Sequence, residues 1–201
     1  MEQDFGRRIE RVVEGTFGKE GPPRPGSRPA VVGRSARPDE RTAGGRHQRL
    51  AIALGSDHRG LLLRKQLLEY LEELGHTVID CGIREGQPGD YPDVALAVAE
   101  KVVRGVCEFG IVIDAVGVGS AMAANKVKGI RAATCHDVES ARSSRLHNDA
   151  NVLSLGAGFV NRGLARRMVR IWLETPFEGG RHVPRIEKIA RIEKDGLDAR
   201  L

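Results

Sequence analysis

Asp114 stands where an apolar run gives way to a loop carrying Gly117 and Gly119, within residues 110–133, GIVIDAVGVGSAMAANKVKGIRAA. Glycines in such a loop let backbone N–H groups approach an anion, and a helix expected over 120–127 adds its positive amino end. A carboxylate beside an anion hole points to proton transfer on a phosphorylated or oxyanion-forming small molecule. Other clusters carry candidate chemistry. Ser56-Asp57-His58 follows the first apolar run, where Asp57 is equally readable as a helix cap. His147-Asn148-Asp149 follows a helical stretch, and a lone histidine there is more often structural than functional. Arg181, His182 and Arg185 come after Gly179-Gly180. Two arginines four apart share one helix face. They either grip a phosphate by charge-assisted bonds or form a solvated basic face.

These residues need a frame, and the pattern from residue 50 onward supplies one. Apolar runs predict strands over 50–55, 77–81, 109–113, 130–134 and 152–155. Helical patterns fall over 61–74, 93–104, 120–127, 138–146, 164–173 and 185–193, and 84–92 reads as a polar loop. Short apolar strands alternating with helices predict an α/β fold, a five-stranded parallel sheet wrapped on both faces. Ligands of such sheets bind beyond the carboxyl ends of the strands. Ser56-Asp57-His58, Asp114–Gly119 and His136-Asp137 all fall at that edge.

A chain of 201 residues allows one ordinary domain plus an appendage, and a 40% hydrophobic content suffices for a core. No apolar run reaches the ~20 residues of a membrane span, and the amino end lacks the apolar stretch of a secretory signal. Cys81, Cys107 and Cys135 are scattered without metal-ligand spacing, which fits buried free thiols in a reducing cytoplasm. Much of the net charge of +5 lies between Lys19 and Arg49, in a Pro/Gly/Arg-rich stretch, which argues against a specific nucleic-acid site. Three parts follow. Phe5, Ile9, Val12, Val13 and Phe17 form an apolar stripe on a short helix over 1–17. Residues 18–48 read as a disordered basic linker, and 49–201 as the catalytic domain. The helix packs on its own domain or frays, docks on a partner, or anchors to an anionic membrane, which is disfavoured, and the remaining alternative is a disordered extension with no partner.

Taken in order, SDH, DYP, the glycine loop leading to AANKVKGIRAA, HNDANVLSLGAG and GGRHVPR resemble one family. It is that of the type B ribose-5-phosphate isomerases, grouped with the two subunits of galactose-6-phosphate isomerase. The resemblance spans about residues 50–195. It implies a Rossmann-like three-layer sandwich and an aldose–ketose isomerase of sugar phosphates without metal or other cofactor. It also implies a homodimer or homotetramer with sites shared between subunits. Ribose 5-phosphate, isomerised to ribulose 5-phosphate through a cis-enediol, is the expected substrate. Galactose 6-phosphate, or a non-catalytic role as a partner subunit or sugar-phosphate binder, is the alternative. By the resemblance, Asp57, His58, Tyr91 and Asn148 bind substrate, and Gly117 and Gly119 steady the enediolate. His147 opens the sugar ring, and Arg181, His182 and Arg185 hold the phosphate. The short helix on its leash resembles the encapsulation peptides that direct enzymes into bacterial microcompartments, which would add a shell or core partner.

The chain departs from this family at the loop. The usual pattern is Cys-Gly-Thr-Gly-x-Gly with the cysteine as base, whereas this chain has Asp114-Ala115-Val116-Gly117-Val118-Gly119. Some members carry a glutamate base just after the loop, where this chain has Ser120. Asp114 is then the remaining acid, a base if desolvation raises its pKa. An arginine common after the HND motif is Gly158 here. The IDA-x-G-x-G wording resembles the A subunit of galactose-6-phosphate isomerase.

Overall fold

The structure is a computed structural model and describes residues 49–87 and 89–198. The expected docking helix over 1–17 and linker over 18–48 lie outside the described residues. Five parallel strands, β1 (Ala51–Ser56), β2 (Thr77–Asp80), β3 (Phe109–Asp114), β4 (Ala132–Cys135) and β5 (Val152–Gly156), form one sheet in the order β2-β1-β3-β5-β4. Six α-helices alternate with them among the described residues: α1 (Leu61–Glu73), α2 (Tyr91–Val103), α3 (Val118–Ala124), α4 (Val138–Asn148), α5 (Arg162–Glu174) and α6 (Val183–Asp195). None is long and apolar enough to cross a membrane.

The period-2 alternation of the strands sorts side chains between two cores. Ile52 and Leu54 of β1, with Ile111 and Ile113 of β3, face Leu67, Leu71, Met168 and Trp172. Ala53 and Val112 face Ala95, Val98 and Ala99 of α2. Each fully buried aliphatic side chain contributes about 1.5–3 kcal/mol. Gly55 and Gly110 bring α2 close to the sheet: a Cβ on either would come within 2.6 Å of a valine methyl of α2. The largely aliphatic core also holds a ring pair, with Phe109 and Trp172 edge to face at 5.0 Å.

The predicted strands and helices all form, with shifted ends. Tyr91 and Pro92, expected in a loop, open α2, because proline is tolerated in a helix's first turn, where its missing N–H costs nothing. The loop helix α3 starts at Val118, two residues earlier than its pattern indicates. Cys107 and Cys135 are buried and Cys81 partly so, all three as free thiols. Burial pushes the Cys81 thiol up to about 11.

In the strand order, neighbours on either side of the β1–β3 pair lead in opposite directions. The crevice at their carboxyl ends is therefore the topological switch point where ligands of such sheets bind.

Candidate functional site

Two groups of the sequence-predicted residues lie at opposite edges of the sheet. At the carboxyl edge, Asp57 and His58 follow β1, while Asp114 ends β3 and leads into Gly117 and Gly119. Asp57 is buried, and its Oδ1 accepts the N–H groups of Arg59 at 2.8 Å and Gly60 at 3.2 Å. It thus holds the turn into α1, leaving His58 exposed beside it. Tyr91 joins this edge from α2. Its ring lies so close to Gly119 that a Cβ there would come within 2.7 Å of the tyrosine Cε2.

The glycine loop is pinned from three strands. Asp114 is 5% exposed. Its Oδ1 accepts the amides of Val116 at 2.7 Å and of Gly117 by a shorter contact, and its Oδ2 accepts the amide of Ser120 at 2.8 Å. Gly117 has a φ of 86°, a left-handed conformation that favours glycine. Its carbonyl accepts the hydroxyls of Ser154 in β5 at 2.5 Å and Thr134 in β4 at 2.9 Å. A Cβ on Gly156 would overlap the backbone of Val116. Two residues that sequence reasoning passed over, Thr134 and Ser154, therefore shape the loop together with Ser120. The available signal was a hydroxyl inside an otherwise apolar strand, as in VLSLG.

The Asp114 carboxylate occupies part of the anion hole. Burial pushes its pKa up, but hydrogen bonds from the Ser120 hydroxyl and from the amides of Gly117, Ser120 and Val116 outweigh burial. The net pKa lies below the usual aspartate value, contrary to the expectation of a raised one. Among the described residues, no backbone hydrogen-bond partner is found for the Gly119 amide in the first turn of α3.

At the amino edge stand His147, Asn148, Arg181, His182 and Arg185. Helix α4 runs back from Asp137 at the carboxyl edge, where that side chain caps it by accepting the Ser140 N–H. Its last turn carries His147 and Asn148 to the start of β5. Asp149 then turns the chain with a φ of 45°, held by Arg131 at 2.8 Å and Arg145 at 2.7 Å. The segment after α5 docks on α4, with the Glu178 amide donating to the Leu146 carbonyl at 2.9 Å. This places buried His182 against His147, ring centroids 4.4 Å apart. Arg181 lies just before the first turn of α6 and Arg185 within it, so two cations reinforce a positive helix end. Glu178, which sequence reasoning missed, sits between the histidines. Its signal was an acid immediately before the Gly-Gly-Arg-His run.

The six residues of β3 separate the two edges by roughly 16 Å at ~3.3 Å per residue. One subunit does not bring His147 to Asp114.

Comparison with known proteins agrees with this architecture. Residues 52–189 match the sequence model described as Ribose/Galactose Isomerase. Ribose-5-phosphate isomerase B of Escherichia coli is 45% identical over 143 residues, covering 71% of this chain and 96% of the relative. D-erythrulose-4-phosphate isomerase of Pectobacterium atrosepticum is 40% identical over 145 residues, covering 72% and 95%. The crystal structure of Mycoplasma genitalium ribose-5-phosphate isomerase B with bound ribulose 5-phosphate superposes with a TM-score of 0.71. It shows 42% identity and covers 74% of this chain and 99% of that one. The five-stranded sheet, the glycine loop at its switch point and the match over residues 52–189 place this chain in the ribose/galactose isomerase family.

Proposed function

We propose that this protein interconverts ribose 5-phosphate and ribulose 5-phosphate through a cis-enediol, with Asp114 as the base and no metal in the reaction. The observation that carries this reading is the loop itself: an acid, a cluster of inward-facing amides and the positive end of α3 converge at the switch point. His147 opens the sugar ring. Asp114 moves a proton between C1 and C2, and the loop amides steady the enediolate oxygen. Arg181, Arg185 and His182 hold the phosphate at the positive end of α6. In the free enzyme the carboxylate itself holds the amides of Gly117 and Ser120. An enediolate oxygen entering the loop competes for those N–H groups, and a carboxylate that loses them gains proton affinity. The low pKa of free Asp114 is in this reading the resting state of a base that substrate arms.

A second copy supplies what one subunit separates. Val116, Val118, Met122 and Phe159 expose apolar surface around the loop, with Met122 and Phe159 each 63% exposed. A partner covering that surface brings its own His147 and phosphate grip to Asp114, so each site is shared. Purified protein with ribose 5-phosphate, followed by ketose formation, tests the reading against erythrulose 4-phosphate and galactose 6-phosphate. The pentose phosphate is expected to give the highest kcat/KM. A higher value for another sugar moves the substrate. No turnover with retained binding supports a non-catalytic partner.

Residues 1–17 are proposed as the docking peptide of a cytoplasmic enzyme packaged in a bacterial microcompartment, supported by their apolar stripe. A fluorescent fusion of residues 1–48 is expected to form puncta in cells that make the compartment. A diffuse signal there removes the proposal.

A further inference from the structure

The amino edge holds a feature that sugar-phosphate isomerisation does not use. The Nε2 atoms of His147 and His182 lie 3.6 and 3.5 Å from one carboxylate oxygen, Oε2 of Glu178. The three ligand atoms all fall within 4.8 Å of one another. Two imidazoles and a carboxylate form the donor set of many three-ligand zinc centres. Metal–ligand bonds of ~2.0–2.2 Å in tetrahedral array space the donors at about 3.3–3.5 Å.

Hydrogen bonds from outside the cluster hold both rings in place. Arg181 Nε donates to His182 Nε2 at 3.4 Å, so that nitrogen carries no proton, and an ion bound there takes the arginine's place on its lone pair. A neutral imidazole is the ligand form. His147 Nδ1 meets the Ser143 hydroxyl at 3.2 Å, an outer contact of the kind that orients metal-bound histidines and leaves Nε2 toward Glu178. An anionic oxygen between two imidazole nitrogens calls for a cation.

We propose that His147, Glu178 and His182 bind a zinc-type divalent ion that inhibits the enzyme. The rings are stacked with only 15° between their planes, so their lone pairs lie in separate, nearly parallel planes. Coordination therefore requires one ring to turn, and His147, with 38% of its side chain exposed against 6% for His182, is the one with room. Glu178 offsets the repulsion between the ion and the nearby arginines. Metal on Nε2 removes His147 from ring opening, so inhibition rests on the function proposed above, while metal binding does not.

The test uses full-length protein without substrate, titrated with Co²⁺ for its visible spectrum and with Zn²⁺ by calorimetry. One ion per subunit is expected, with a cobalt band of four- or five-coordinate N/O type. Glu178→Gln and His182→Ala are each expected to weaken binding by at least about tenfold. Circular dichroism and thermal unfolding verify that both variants fold. Each variant's turnover, relative to its own metal-free rate, is expected to lose zinc sensitivity in step. Absence of stoichiometric binding to the wild type overturns the site, as does equal binding by both folded variants. Metal binding without inhibition overturns the inhibitory role alone.

Discussion

Replacing Asp114 by asparagine is expected to lower kcat on the preferred sugar phosphate by about 10²–10⁴-fold, the range of a positioned general base. The size of the effect follows from the loop, where Asp114 is the acid that the strand, the glycines and the first turn of α3 converge on. Asparagine keeps one carbonyl oxygen for Val116 and Gly117 but presents NH₂ toward the Ser120 amide. The loss of that bond costs about 1–3 kcal/mol of stability. In a domain of this size the unfolding midpoint then falls by about 2–4 °C for each kcal/mol. Asp114→Cys separates the two effects. A thiolate at the start of α3 is favoured by the helix end, and cysteine stands at this position in the usual pattern of type B enzymes. That variant is expected to turn over at least about tenfold faster than Asp114→Asn. Acid unfolding supplies a second readout. The Asp114 pKa is lower in the folded chain than its ordinary value. Its charge therefore contributes stability in full above the unfolded pKa of about 3.9, and the contribution is lost as pH falls through the folded value. Asp114→Asn lacks that step. Unchanged turnover in Asp114→Asn removes Asp114 as base, whatever its effect on stability.

The strands and helices of the sheet are legible in the sequence because period-2 and period-3.6 patterns are local. Phe109–Asp114 and Val152–Gly156 announce themselves as apolar runs, and Gly117 marks the left-handed turn that only its position in the loop explains. The state of Asp114 was not legible. Its carboxylate is set by amides two, three and six residues further on, and whether these point inward depends on hydroxyls from Ser154 and Thr134 in other strands. The edge of each candidate was only half legible. Asp57 directly follows β1 and Asp114 ends β3, so both declare themselves at the carboxyl edge. His147 lies at the end of a helix running back, and its place follows only once α4 is known to extend to Asn148. Glu178 was missed because an exposed acid in a loop looks like solvation until two histidines from different elements flank it.

That separation of the edges leads to the other large expected effect. Asp114→Asn and His147→Ala proteins, each assembled alone, are expected to be nearly inactive. Mixed after dissociation and reassembly, they are expected to recover about a quarter of wild-type activity, because half of a random dimer population is heterodimeric and each heterodimer holds one intact shared site. Within a subunit the β3 strand keeps Asp114 roughly 16 Å from the end that carries His147, far beyond the one-water reach of a proton relay. A site built from one chain would place both substitutions in separate, independently dead subunits, and mixing would then restore nothing. A shared site places both substitutions in one of the heterodimer's two clefts and leaves the other unaltered. Dimer exchange is checked by mass on differently tagged copies, so failure of complementation in a verified heterodimer overturns the shared site. Recovery of activity, in turn, requires that His147 of one copy reach the Asp114 loop of the other. The exposed apolar rim of Val116, Val118, Met122 and Phe159 is the surface able to bring them together.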